Sequence, residues 1–272
     1  MMRILSTQTR TFWCLWVLFG AATANAEMIL YGTDTDSEDL LTINTSTGAG
    51  TNVGNLVNAA SVQGLAYDSN TQTLYGIDAA GANDDLVSIN RATGEATSIG
   101  FLNLNMARAG AAFDPNSNTL YVSRPQGNEL YTVDISDGTP TLIGSLATDF
   151  VSGLAFDPAT NTLFGVDHGT DRLYTIDTTT AAQTEVGQLG ISVDNAGLAF
   201  NTDTNTLYLS DITTVTLYTL DSSNGTATSV GALGFSNVAG LAFGASVPEP
   251  STPILMSLGL TSFLLRRRRS SR

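Results

Sequence analysis

The chain has 272 residues, 13% of them charged, and a formal net charge of −14. It contains no lysine, one cysteine (Cys14) and one histidine (His168). This composition argues against nucleic-acid binding, multi-histidine metal chemistry and an internal disulfide framework.

Residues 1–26 read as a cleavable signal peptide. Arg3 and Arg10 supply the positive start, and residues 11–20 form a short apolar core. Ala24 and Ala26 flank Asn25 in an A-x-A cleavage site, so the mature chain is expected to begin at Glu27. Cys14 lies inside the apolar core and leaves with it. The body that follows, residues 27–246, carries four arginines against 24 acidic residues, a formal charge near −20. Such a surface favours solubility, and its natural partners are divalent cations or basic groups.

The body is an internal repeat. Gly64-Leu65-Ala66-Tyr67 recurs as Gly110-Ala111-Ala112-Phe113, Gly153-Leu154-Ala155-Phe156, Gly197-Leu198-Ala199-Phe200 and Gly240-Leu241-Ala242-Phe243, at spacings of 46, 43, 44 and 43. Behind each of the first four comes a polar turn, then a second apolar stretch such as Leu120-Tyr121, then a third such as Leu130-Tyr131-Thr132-Val133. A fourth stretch ends in Gly100, Gly144, Gly187 or Gly231. Each stretch is short, alternates apolar with polar residues, and is bounded by Gly, Pro, Asn or Asp. That is the signature of a β-strand. Four strands per repeat of this length predict β-propeller blades.

The ends of the body fit together. Residues 28–54 hold the second, third and fourth strands of a repeat, and the Gly240 stretch is a first strand without followers. The expected fold is therefore all-β. It is a five-bladed β-propeller closed by pairing of the C-terminal strand with the N-terminal blade.

Candidate chemistry gathers on the face formed by the loops between strands two and three and by the blade links. Asp34, Asp78, Asp167 and Asp211 are equivalent in four repeats, with Arg124 in the fifth. The simplest reading is that each Asp accepts hydrogen bonds from its own loop. The candidate metal site is Asp34, Asp36 and Glu38, with Ca²⁺ as the ion, since hard cations take several carboxylate oxygens. It lacks the glycine and distal Glu of a complete calcium loop. No other cofactor is expected. Gln63, Arg108, Ser152, Asn195 and Asn237 sit at the start of the inner strands and offer no ring of carboxylates. Asp149 and Asp194 lie nearby.

The last segment, residues 247–272, is an address. Pro248, Glu249 and Pro250 precede an apolar run at 253–265 and then Arg266, Arg267, Arg268 and Arg269. The prolines disfavour helix before the apolar run. The arginines stay cytoplasmic and anchor it, although 13 residues fall short of the roughly 20 that span a bilayer. This order resembles the PEP-CTERM sorting tail. The resemblance implies export, transient anchoring in the inner membrane, processing by an exosortase, and a final place at the cell surface or outside it. It also implies association with exopolysaccharide.

The expected activity is non-catalytic binding of polysaccharide or of a surface protein. The alternative is a secreted glycosidase or polysaccharide lyase using Asp149, Asp194 or Asp167 at the channel. No nucleophile elbow, phosphate loop or dinucleotide fingerprint is present.

Overall fold

The computed structural model describes residues 27–80, 84–148 and 150–247. The signal segment with Ala24 and Ala26, the sorting residues Pro248 to Pro250, the four anchor arginines and Asp149 lie outside the described residues. Among the described residues no helix is long and apolar enough to cross a membrane.

Twenty strands form five four-stranded antiparallel sheets. Blade 1 consists of β1 (Met28–Asp34), β2 (Asp39–Ile43), β3 (Gly50–Asn55) and the last strand, β20 (Val238–Ala245). Blade 2 holds β4 (Val62–Asp68), β5 (Thr73–Asp78), β6 (Asp85–Ile89) and β7 (Ala96–Phe101). Blade 3 holds β8 (Ala111–Asp114), β9 (Thr119–Arg124), β10 (Glu129–Val133) and β11 (Pro140–Ser145). Blade 4 holds β12 (Val151–Asp157), β13 (Thr162–Asp167), β14 (Arg172–Ile176) and β15 (Gln183–Gln188). Blade 5 holds β16 (Gly197–Asn201), β17 (Thr206–Asp211), β18 (Thr216–Leu220) and β19 (Ala227–Ala232).

The ring closes as the split repeat predicts. In the blade 1 sheet the order is β20-β1-β2-β3, with Leu30 opposite Phe243 and Gly32 opposite Leu241. Closure is also visible on the outer wall. Each fourth strand carries a bulge at its glycine, and the third-to-fourth turn of the next blade packs against it. A Cβ on Gly231 of blade 5 would collide with the Thr47 carbonyl of blade 1, just as one on Gly54 would meet Thr93. Apolar side chains fill the gaps between blades, including Leu56, Leu102, Leu146, Leu189 and Leu233, all buried.

The axis is nearly shut. The inner-strand glycines let neighbouring blades approach backbone to backbone. A Cβ on Gly110 would sit 2.6 Å from the Ser152 carbonyl, and one on Gly153 would sit 2.8 Å from that of Ala196. The space left among these strands is about 10 Å³, and toward the opposite end it widens only to about 60 Å³. The narrow part holds at most about one water, so no ligand threads the ring. A ligand must therefore sit at a mouth.

Each inner strand runs from the mouth face, made of the loops between strands two and three and the blade links, to the turn face, made of the other two sets of hairpins. On the turn face a repeated Asx cap does the same work in every blade. Asn44, Asn90, Asp134, Asp177 and Asp221 each accept a bond from the amide two residues on, at 2.8–2.9 Å. At Asp177 the Thr179 hydroxyl, 2.6 Å away, joins the Thr179 and Thr180 amides, and together they hold the carboxyl at a pKa of about 2.

Candidate functional site: the channel mouth

The second strand of every blade ends at the mouth face, and its last residue fastens the loop that follows, the blade link, or both. In four blades that residue is an Asp. Asp34 accepts from the amides of Asp36 and Asn237, both at 3.2 Å, and from the Ser37 hydroxyl at 2.9 Å. Asp78 accepts from the Ser61 amide at 2.9 Å. Asp167 takes the amides of Gly169 and Thr170 at 2.6 and 3.0 Å. Asp211 takes those of Asp194 and Thr214 at 3.0 and 2.8 Å. Asp34, Asp167 and Asp211 are buried. In blade 3 the residue is Arg124, whose Nε donates to the Asn105 carbonyl of the link at 3.1 Å. The same tie is made with the polarity reversed. Arg124 also pairs with Glu129 at 2.8 Å, and the bonds from Tyr131 and Arg124 hold the Glu129 carboxyl below its usual range.

These ties position five side chains over the shut axis. Arg108 on the link into blade 3 reaches across to Asp194 on the link into blade 5, skipping blade 4. His168, just past the end of β13, lies between them: its Nε2 is 3.4 Å from the Arg108 guanidinium and 3.9 Å from the Asp194 carboxylate. Asn195 donates to the Gln63 side chain at 2.9 Å, bridging blades 5 and 2. Phe150 stands at the rim with its ring 5.1 Å from that of His168.

Exposure separates these groups. The Arg108 and Asp194 side chains are 42% and 46% exposed, and Phe150 is 44% exposed. The His168 side chain is only 10% exposed. Burial, then the neighbouring Arg108 charge, lower the His168 pKa, so the ring is neutral at pH 7. Its Nδ1 is buried with no hydrogen-bond partner among the described residues.

Two backbone features aim the cluster. Arg108 and Asn195 hold positive φ values of 64° and 42°, a conformation that Asn takes readily and Arg seldom does. Gln63 and Ser152 lie inside β4 and β12 rather than ahead of them. Each is the extra residue of a β-bulge, since the register skips from Val62 to Gly64 and from Val151 to Gly153. The bulge turns Gln63 toward Asn195, while the Ser152 hydroxyl accepts from the Ala196 amide at 3.1 Å.

A family model described as "Repeat of unknown function (DUF6923)" matches residues 60–246. The chain belongs to this family. A second model, the PEP-CTERM protein-sorting motif, matches residues 246–269. That motif implies export and processing by an exosortase. No curated protein matches the chain. Among solved structures, a chain of the nidogen/laminin complex is similar over 82% of this chain and 100% of its own, at 13% identity and a TM-score of 0.59. That likeness is one of fold. A structural-genomics protein of unknown function from Bacteroides thetaiotaomicron VPI-5482 aligns at 16% identity and a TM-score of 0.48, over 75% of this chain and 50% of its own.

In this DUF6923 propeller the expected calcium residues lie in the loop between strands two and three of blade 1, where Asp34 and Asp36 are tied to the link into β20. Both Asp34 oxygens accept protein hydrogen bonds. Asp36 accepts from Ser236 at 2.7 Å and Asn237 at 3.1 Å, which lowers its pKa. Glu38 is exposed. Among the described residues no group of three or more His, Cys, Asp or Glu side chains converges on a point where a metal ion could sit. Of the carboxylates named for catalysis, Asp194 is paired with Arg108 and Asp167 is buried among its loop amides.

Proposed function

We propose that this protein is an exported, non-catalytic binding propeller whose ligand is a neutral polysaccharide held at the channel mouth. The observation that carries the reading is the cross-ring cluster itself. Arg108 and Asp194 are half-exposed, oppositely charged and locked in place by a partner, and Phe150 offers an apolar ring beside them. A planar apolar surface next to fixed donors and acceptors suits the mixed apolar and hydroxyl faces of a sugar ring.

Charge narrows the ligand class. A body near −20 repels uronate or sulfated polymers at ordinary ionic strength, so an uncharged chain is the better partner. The carboxylate environment supports binding over hydrolysis. Glycoside cleavage needs a free acid and a free base or nucleophile flanking one bond. Asp194 is neutralised by Arg108, and Asp167 is fully buried, out of reach of a sugar.

The test is a glycan-array screen of residues 27–247, followed by the same screen on Arg108→Ala and Phe150→Ala. We expect binding to neutral glycans that falls at least about tenfold in each variant, equivalent to about 1.4 kcal/mol. Release of reducing ends from a bound glycan would overturn the non-catalytic reading.

A further inference from the structure

We propose that the turn face of the propeller is the docking surface for the exosortase that cuts the tail, so that the mouth points away from the enzyme during processing. This rests on the sorting role of the tail, and it comes from where the chain leaves the fold. β20 is the innermost strand of blade 1, packed beside β4 and β16, and it runs toward the turn face. It delivers the tail onto the turn face, beside the third-to-fourth turn of blade 2.

The exit is fastened. The Arg91 guanidinium, from the third-to-fourth turn of blade 2, donates to the Ala245 carbonyl and lies 5.0 Å over the Tyr67 ring. The Ser246 amide donates to the Glu27 carbonyl at 2.9 Å. Val247 lies in a groove with Gln72, Thr73 and Arg91. The ordered fold therefore holds the chain to its own surface up to the edge of the motif.

The remaining reach is short. Pro248 is three residues beyond Ala245, which spans at most about 11 Å fully extended. An enzyme is several times wider than that, since even a small domain is about 30 Å across. A cleft that closes on the motif cannot avoid the turn face. The apolar run starts at residue 253, eight residues past Ala245 and at most about 29 Å away. Because the exit is fastened to blade 2 on that face, the same face stays toward the enzyme. That face presents the exposed turn residues Asp134, Asp137, Asp177, Asp221 and Glu95, so the enzyme surface that fits it is basic.

The experiment is site-specific photo-cross-linking in the full-length precursor, expressed in cells that carry the processing enzyme. Probes replace Ala92, Ser136 or Ser223 on the turn face and Ser37, Asn103 or Thr213 on the mouth face, all exposed. We expect cross-links to the enzyme from the turn face at least about fivefold above those from the mouth. A 20-residue Gly/Ser spacer after Ser246 adds a root-mean-square span of roughly 25 Å and should bring the two faces level. Equal labelling of both faces without the spacer, or a cut tail with no turn-face cross-link, would overturn the docking surface and leave the sorting role standing. A wild-type chain that stays uncut and ends at Arg272 would overturn both.

Discussion

The two faces of the propeller are built by opposite rules. On the turn face one device recurs five times: an Asx side chain caps the same amide in every blade, whether it is Asn44, Asn90, Asp134, Asp177 or Asp221. On the mouth face the position two residues before the inner-strand glycine departs from the repeat: it is Val62, Val151 and Val238 in three blades but Arg108 and Asn195 in the other two. Regularity is what a repeat needs to stack. Departure from it at Arg108 and Asn195 puts polar side chains where the other blades bury a valine, and marks the surface available for recognition.

The shared frame comes first, and breaking it has the largest effect. Truncation after Ser236 removes β20, the whole inner strand of blade 1. The loss is comparable to the entire stability of a domain, about 5–15 kcal/mol. The truncated body should lose its cooperative melt and its strand circular dichroism at 25 °C. A truncated body that melts like residues 27–247 would break the closed ring.

A smaller change tests the shut axis that forces ligands to the mouth. Gly110→Val places side-chain atoms against the Ser152 carbonyl and the neighbouring inner strand. Overpacking of this kind costs about 1–3 kcal/mol. For a body of this size that lowers the melting temperature by about 2–12 °C. An unchanged melt would mean that the inner strands have room to spare.

The pH dependence distinguishes the two faces without unfolding either. His168 has a folded pKa below its unfolded value of about 6.5, because burial and Arg108 oppose its charging. The unfolded chain therefore binds the extra proton first. Stability from this site is complete above about pH 6.5 and is lost as pH falls through that value toward the folded pKa. The Asp177 carboxyl, at about 2, instead contributes above about pH 4 and is lost as pH falls from there toward 2. His168→Thr, which copies Thr35 in the equivalent place of blade 1, should remove the loss that sets in below about pH 6.5 and leave the acid limb unchanged. Melting curves across pH 2–8 would show it. An unaltered limb near pH 6 would remove His168 from the account.

The smallest effect is expected from salt. With their oxygens engaged by Ser37, Ser236 and Asn237, Asp34 and Asp36 should respond to Ca²⁺ mainly through screening of the acidic body. Melts in Ca²⁺ and in NaCl of matched ionic strength should coincide. A specific micromolar Ca²⁺ site would add about 4 kcal/mol at millimolar ion, with Asp34→Asn abolishing it.

Most of the frame was legible in the sequence. Period-two apolar stretches, the turn residues and the complementary fragments at the two ends specified blade number, strand order and closure, because each follows from local pattern and repeat length. The site was legible only in some of its members. Gln63, Arg108 and Asn195 were placed at the inner-strand entrances with Asp194 nearby, His168 stood out only as the lone histidine, and Phe150 carried no signal. What joins them was hidden. Arg108 meets Asp194 across 86 residues and Gln63 meets Asn195 across 132. Such pairs depend on the radius of the closed ring and on bulges in β4 and β12, which shift register without any change in apolar pattern.

The most direct test of the mouth as the binding surface is a calorimetric titration of a neutral oligosaccharide from the array into three proteins based on residues 27–247. One is the native body, one is Phe150→Ala, and one carries Asp134→Asn, Asp177→Asn and Asp221→Asn together. The last set keeps every turn capped, since Asn already does so in blades 1 and 2. Binding should fall at least about tenfold in Phe150→Ala and match the native body in the turn-face variant. Equal affinity in all three, or a loss confined to the turn-face variant, would contradict the assignment of the ligand to the mouth.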